Sequence, residues 1–258
     1  MPSASKRPTF KGVILNLEIC TLNLFYCPDI LNQQILPEEE SQHCVQVLRM
    51  QAGEPIMLTD GRGTIYEAEI TNPNRKHCAF RIVRTEQPEP LHEGRIHIAI
   101  APTKHMDRLE WMVEKCVEIG VDEITPVLCR YSERKTLNID RLQKILISAA
   151  KQSLKATFPN LHPLTPISEL ISKATEQDKL IAHCIDSYAP SETKHLLRDC
   201  ITRSHSVVVL IGPEGDFSSQ ELSLALQHHW QPVSLGRARL RTETAALVAC
   251  HTAVLLNE

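Results

Sequence analysis

Val207-Val208-Val209-Leu210-Ile211 runs directly into Gly212-Pro213-Glu214-Gly215-Asp216-Phe217-Ser218, and Ser219-Gln220-Glu221-Leu222 then opens a helical pattern. A short apolar run bounded by glycine and proline reads as a buried strand, and residues 212–222 read as a tight loop and a helix start. In open α/β sheets that junction is where ligands bind. A second glycine-bearing segment, Leu235-Gly236-Arg237-Ala238-Arg239-Leu240-Arg241-Thr242-Glu243-Thr244-Ala245, repeats the arrangement soon afterwards. Two such loops so close in sequence imply one shared pocket.

Outward from these loops, Ile96-His97-Ile98-Ala99-Ile100-Ala101, Glu123-Ile124-Thr125-Pro126-Val127-Leu128, Leu180-Ile181-Ala182-His183-Cys184 and Val233-Ser234-Leu235 are further strand candidates. Helical patterns lie between them. Met106, Leu109, Met112, Val113, Cys116 and Val117 share one helical face, and residues 142–154, 193–201, 219–228 and 243–256 follow suit. Alternating strands and helices predict an α/β domain, a mostly parallel sheet covered by helices on both faces, over residues 91–258. Residues 22–90 read differently. Short strands near 23–27, 55–58, 64–70 and 78–83, with turns at Asp60-Gly61-Arg62-Gly63 and Asn72-Pro73-Asn74, predict a small β-barrel with a short helix from Pro37 between its first two strands. Glu86-Gln87-Pro88-Glu89-Pro90 reads as the linker. Residues 1–21 fit neither period and are expected to be an extension outside the fold.

Bulk composition narrows the class. The 258 residues are 42% hydrophobic and 23% charged with a net charge of −3, ordinary for a globular protein, so any nucleic-acid contact must use local patches. No apolar stretch approaches the roughly 20 residues of a membrane span. Nor does the start of the chain read as a secretory signal, and a cytoplasmic protein is expected. Nine cysteines without a CxxC pair fit reduced, mostly buried thiols. The twelve histidines offer no ligand spacing, His228-His229 reads as a solvated helix end, and no metal is expected.

The loops themselves carry the chemistry. Gly212 and Gly215 permit close backbone approach to a ligand, and a helix starting near Ser218 directs N–H groups at the same space. Glu214 and Asp216 stand where a phosphate would sit, and no phosphate-loop motif is present, so a cationic or neutral polar ligand fits better. A turn followed by an acidic helix N-terminus is the bland alternative. Arg237, Arg239 and Arg241 alternate, then Thr242-Glu243-Thr244 read as a cap on an apolar helix. A basic comb beside a small-ligand pocket suits a polyanion such as RNA, against the alternative of a solvated loop.

Gly212-Pro213-Glu214-Gly215, then Leu235-Gly236 and Leu240-Arg241-Thr242-Glu243-Thr244-Ala245, resemble the signature of the RsmE-type 16S ribosomal RNA (uracil-N3) methyltransferases of the SPOUT superfamily. His43-Cys44-Val45-Gln46-Val47-Leu48-Arg49-Met50 with Asp60-Gly61, Lys104 and Lys115 with Glu118-Ile119-Gly120-Val121 and Ile124-Thr125-Pro126, and Ala150-Lys151-Gln152-Ser153 extend the resemblance over residues 22–257. Departures are Gly215-Asp216 for a commoner Gly-Gly, Lys151 for a commoner glutamate, and Lys155 where an arginine is usual. Lysine keeps the charge and loses the bidentate fork.

The resemblance implies a PUA-like β-barrel over 22–90, and over 91–258 an α/β domain closed by a deep trefoil knot. It implies S-adenosylmethionine clasped by His183-Cys184-Ile185, by Gly212-Pro213-Glu214-Gly215, and by Leu235, Gly236, Leu240, Arg241, Thr242 and Thr244. It also implies a homodimer acting on 16S rRNA in the small ribosomal subunit. Methylation of uracil N3 must remove the imide proton, so Arg241 is the candidate for stabilising developing charge and Glu243, or Glu214, for the base. RNA contacts are expected from Arg75, Lys76, Lys104, Arg108, Arg134, Arg237 and Arg239, with Arg130 and Lys135 as further basic groups. A knotted methyltransferase for another RNA or base atom, or a non-catalytic RNA-binding factor, are the competing expectations.

Overall fold

The computed structural model describes residues 23–184 and 194–258, so the expectations placed on residues 1–21 and on Ile185 lie outside the described residues. The chain divides into two compact units, one ending at Glu86 and the other formed by residues 61–64 and 87–258.

In the first unit, β1 (Leu24–Tyr26), β2 (Pro55–Thr59), β3 (Ile65–Asn72) and β4 (Ala79–Glu86) form one sheet in that order, β1–β2 parallel and the rest antiparallel. The period-two reading of β3 holds. Tyr66, Ala68 and Ile70 point into a core with Phe25, Ile56, Leu58 and Phe80, while Glu67 and Glu69 face Arg84 and Arg81 across the strand pair at 3.8 and 3.1 Å. The short helix α1 (Glu38–Gln42) continues into a π-helical turn, His43–Val47, and Ile35 bridges Ala79 beside β4.

In the second unit the strands are β5 (Arg95–Ile100), β6 (Glu123–Leu128), β7 (Asn160–Leu161), β8 (Thr165–Pro166), β9 (Asp178–Ala182), β10 (His195–Leu196), β11 (Ser206–Ile211) and β12 (Gln231–Ser234). Their order is β10-β12-β9-β11-β5-β6-β7 with β8 also on β6, and every pairing is parallel. Parallel neighbours need crossovers that return the chain over the sheet. The helices that do so are α2 (Met106–Ile119), α3 (Ile139–Gln152), α4 (Ile167–Lys173), α5 (Ser219–Gln227) and α6 (Thr242–Asn257).

Strand alternation sends Ile96, Ile98, Ile100, Val207, Val209 and Ile211 to one face, under α2, α3 and α6. It sends Ala99, Val208, Leu210 and Ile181 to the other, under α4 and α5. Both faces are therefore buried, which is why these strands read as continuous apolar runs. Gly120 ends α2 at φ +119, a conformation glycine reaches without steric cost, and donates to the Cys116 carbonyl at 3.0 Å.

One helical expectation fails. Residues 195–199 form the two-residue β10 and a single 3₁₀ turn, Leu197–Asp199, because His195 and Leu196 pair with Val233 and Ser234 while Leu197 enters the core. The short elements β7, β8 and α4 carried no periodic signal long enough to read.

Near the amino ends of β5 and β6, His97, Glu123 and Glu176 bring ligand-type atoms within 4.8 Å of one another, a grouping no sequence spacing announced. Each already has partners. His97 contacts Glu176 at 2.6 Å and Thr125 at 2.8 Å, and Glu123 pairs with Arg95 and with His162 at 2.6 Å. Burial, the largest single influence, raises the Glu176 carboxyl, but the His97 hydrogen bond, backbone hydrogen bonds and the charge of His97 together outweigh it, and Glu176 lies below its ordinary 4.5. Its contribution to stability is complete above that pH and is lost as pH falls through the depressed pKa. Urea unfolding between about pH 3 and 5 should therefore show wild type losing stability more steeply than Glu176→Gln. Parallel curves would contradict the assignment.

Candidate functional site

Parallel register aligns Ile211 of β11 with Ala182 of β9, and Ala182 with Val233 of β12. The three strands run the same way, so the chain leaves the sheet there at one level three times: into His183-Cys184, into residues 212–218, and into residues 235–241. Ile100 of β5 stands opposite Ile211, which brings Lys104 to the same end. The three segments singled out in the sequence thus emerge from adjacent strands at the carboxyl edge of the sheet, where open α/β folds bind ligands.

Two carboxylates of the first loop and one from the first turn of α5 tie this end together. Glu214 accepts from the Lys104 backbone N–H at 3.1 Å, Asp216 from the Cys184 N–H at 2.8 Å, and Glu221 from the Arg130 N–H at 2.7 Å. Pro213 and Asp216 close the turn, the Asp216 N–H donating to the Pro213 carbonyl at 2.9 Å with Asp216 at φ +62. Asp216 tolerates that left-handed region because its carboxylate bonds locally, here to the Phe217 N–H at 2.8 Å. In the sequence Glu214 and Asp216 suit a cationic or neutral polar ligand, with a turn and acidic helix start as the alternative. In the structure one Glu214 oxygen and one Asp216 oxygen brace loop to loop.

The glycines also have protein partners. A Cβ on Gly212 would meet the buried Phe217 ring at 3.0–3.3 Å, and one on Gly215 would meet Tyr131 Cβ at 3.2 Å. Packing accounts for both without a ligand. At Gly236 the reverse holds: φ is +117 and a Cβ there would meet nothing within 4 Å, so the backbone borders open space. The Ser234 hydroxyl accepts from the Gly236 N–H at 3.2 Å and shapes this bend.

The two helix starts differ. Ser218 and Glu221 form a full capping box on α5, which spends the donor of Glu221 inside the helix. The α6 helix begins one residue earlier than read, at Thr242, with Arg241 as its N-cap and no side-chain cap bond. Thr242 therefore caps nothing, and the first-turn N–H groups of α6 have no side-chain acceptor at the N-cap. The Arg241 guanidinium is exposed and has no hydrogen bond or ion pair among the described residues.

Arg241, Glu243 and Thr244 line an open cleft of about 610 Å³ with Asp107, Arg108 and Trp111 of α2. Glu243 is 7% exposed, and its carboxylate lies 3.8 Å from Arg108 Nε, an ion pair too long to be a hydrogen bond. Glu243 contributes to the cleft lining and has no hydrogen-bonded side-chain partner among the described residues. Gly212, Pro213, Glu214 and Gly215 do not line this cleft. Leu235 packs on the core, Leu240 is half-buried and Thr242 buried, so these residues offer backbone more than side chain.

The expected RNA contacts scatter. Arg75 and Lys76 sit exposed in the β3–β4 turn of the first unit. In the second unit Arg237 and Arg239 are exposed without described partners, while Lys104 pairs with Glu133 at 2.9 Å and Arg134 donates to the Lys104 carbonyl at 2.9 Å. Arg130 bonds Gln220 at 2.7 Å, and Lys135 is exposed. Lys115 is held between Glu114 and Glu118, both at 2.7 Å, which raises its pKa. Burial lowers that of Lys155, which is half-buried near Glu118 and Cys250. Trp111 and Asp107 were not anticipated. Trp111 falls off the apolar stripe of α2, and a tryptophan on a polar helix face was the available signal.

Fold and site define an α/β protein that carries three adjacent strand-exit loops at one end of a parallel sheet, next to an arginine-lined cleft. The model of an RNA methyltransferase domain matches residues 89–254, and that of an RNA methyltransferase PUA domain matches residues 36–83. The chain belongs to this RNA methyltransferase family. It is similar to the crystal structure of a probable rRNA-methyltransferase from Porphyromonas gingivalis, at 44% identity over 92% of this chain and 98% of that one, TM-score 0.85. It is similar also to ribosomal RNA small subunit methyltransferase E from Neisseria gonorrhoeae bound to S-adenosyl methionine, at 28% identity over 89% and 96%, TM-score 0.78. Ribosomal RNA small subunit methyltransferase E of Rickettsia conorii is 27% identical over 225 residues, 86% of this chain and 89% of its own.

Proposed function

We propose that the chain transfers the methyl group of S-adenosylmethionine to N3 of a specific uridine in 16S ribosomal RNA. The observation that carries this reading is the joint placement of Arg241, Glu243 and Arg108 in one cleft beside the strand exits of β9, β11 and β12. The named relatives supply the reaction class.

The cofactor would be held by His183, Cys184, Gly212, Pro213, Glu214, Gly215, Leu235, Gly236, Leu240, Arg241, Thr242 and Thr244, largely through backbone. The open space at Gly236 fits this, since a flat purine needs backbone N–H and C=O groups bare of side chains. Bound there, S-adenosylmethionine supplies an electrophilic methyl group. The chain's residues do the rest. Arg241 donates its fork to a uracil oxygen and stabilises the negative charge that develops as N3 loses its proton. Glu243, which lines the cleft and is only loosely paired, accepts that proton. Most of the acceleration is positioning. In this reading residues 22–90 dock RNA and residues 91–258 form the knotted catalytic domain.

A homodimer agrees with α6. Its 16 residues hold a single charged side chain, Glu243, and Leu255 is 60% exposed. Most of its side chains are small or apolar, and a second copy of the chain would cover the outer face that carries Leu255.

Calorimetry with S-adenosylmethionine, followed by transfer of labelled methyl to purified small subunits or 16S rRNA, tests the reading. Saturable binding and labelled rRNA are expected; no heat at about 1 mM cofactor would overturn it. Asp216→Ala, which frees Cys184 from the first loop, is expected to weaken cofactor binding about tenfold in the same titration. Unchanged affinity would mean that this brace does not shape the pocket.

A further inference from the structure

The exposed tryptophan of α2 takes no part in the steps given to Arg241 and Glu243. Trp111 is 43% exposed, whereas the other tryptophan, Trp230, is 2% exposed in the core. It lies off the stripe of Leu109, Met112, Val113 and Cys116 that α2 buries, so packing within this unit does not hold it. It lines the same cleft as Arg108, Arg241, Glu243 and Thr244. Large apolar rings are costly to leave in water, and one placed among two arginines and a carboxylate suits a ligand that is flat, apolar on its faces and polar at its edge.

We propose that Trp111 is the stacking platform for the target nucleobase, which the cleft receives unpaired and extruded from its RNA stack. This rests on the methyltransferase reading. A base in a helix keeps its pairing edge hidden, so an enzyme acting at that edge must take the base out and replace the lost stacking. An indole face does so with any base. The edge is then read by the groups beside it: Arg241 and Arg108 donate to exocyclic oxygens, and Glu243 accepts from a ring N–H. That set suits a base whose edge alternates oxygen, N–H and oxygen, as uracil's does. The cleft is open and its volume of about 610 Å³ leaves room for one base to enter from solvent. Arg237 and Arg239 are left for the flanking phosphates.

The test uses the full-length protein with 16S rRNA or small subunits. Trp111→Ala is expected to lower kcat/KM for RNA roughly 5- to 150-fold, the range of one lost stacking contact, with S-adenosylmethionine affinity unchanged. Trp111→Tyr should recover most of the loss and Trp111→Leu little of it, since only the former keeps a π-face. Because the chain has two tryptophans, RNA titration should quench wild-type fluorescence, and Trp111→Phe should abolish the quenching. Three results would overturn the proposal: wild-type rates in Trp111→Ala, rescue by leucine equal to that by tyrosine, or a Trp111→Ala protein whose only defect is loss of dimer by light scattering. If wild type binds RNA but labels no nucleoside, the methyltransferase reading fails first, and this proposal with it.

Discussion

Arg241→Ala is expected to slow single-turnover methyl transfer roughly 10²- to 10³-fold, the cost of removing one preorganised donor from a developing anion. Arg241 is fixed by its place, not by side-chain partners. It is the N-cap of α6, its carbonyl accepts from the Ala245 N–H at 2.8 Å, and its guanidinium stands free in the cleft. The substitution therefore leaves no buried group unpaired and is expected to cost little stability. Cofactor affinity should change little, because the backbone has that task. Arg241→Lys is the informative control. A lysine keeps the charge and loses the planar fork, so partial recovery is expected if orientation of the uracil oxygen matters. A rate within about threefold of wild type in Arg241→Ala would remove the residue from the chemistry.

Trp230→Ala is expected to destabilise the second unit by about 3–5 kcal/mol, the range for a large aromatic removed from a packed core. Trp230 is among the largest fully buried side chains and donates its indole N–H to the Ile171 carbonyl at 3.3 Å. It packs with Phe217, Leu222, Ala225, Leu210 and Ile171, so it stands behind both the glycine loop and the strand leading to Gly236. Trp230→Phe should recover part of the loss, since the ring remains and the N–H does not. Urea unfolding reads both. A loss under about 1 kcal/mol in Trp230→Ala would mean that the cluster collapses around the gap.

Much of this architecture was legible in the residues. Continuous apolar runs such as 207–211 announced strands buried on both faces, and the i, i+3, i+4 stripe of α2 announced a helix on the sheet. The two glycine-bearing loops fell where their sequence put them, at one end of a parallel sheet. What escaped depends on partners far away in sequence. Glu214 and Lys104 are 110 residues apart, Arg130 and Glu221 are 91 apart, and nothing local distinguishes a carboxylate bracing a neighbouring loop from one awaiting a ligand. The same holds for Gly212, whose missing side chain makes room for Phe217. Residues 195–199 look helical in isolation and are drawn into the sheet by β12. The role of Thr242 was misread for a different reason: the helix starts one residue earlier than its apolar pattern, a shift within the ordinary uncertainty of helix ends.

The central claim concerns one bond, from a sulfonium methyl to a uridine nitrogen in small-subunit rRNA. The most direct test incubates the purified protein with methyl-labelled S-adenosylmethionine and 16S rRNA within small subunits lacking the modification. The rRNA is then digested and its nucleosides resolved by mass spectrometry. The account predicts label in 3-methyluridine from a single 16S position, appearing roughly 10²- to 10³-fold more slowly when Arg241→Ala replaces wild type. Label in any other nucleoside, or none with cofactor demonstrably bound, would contradict it.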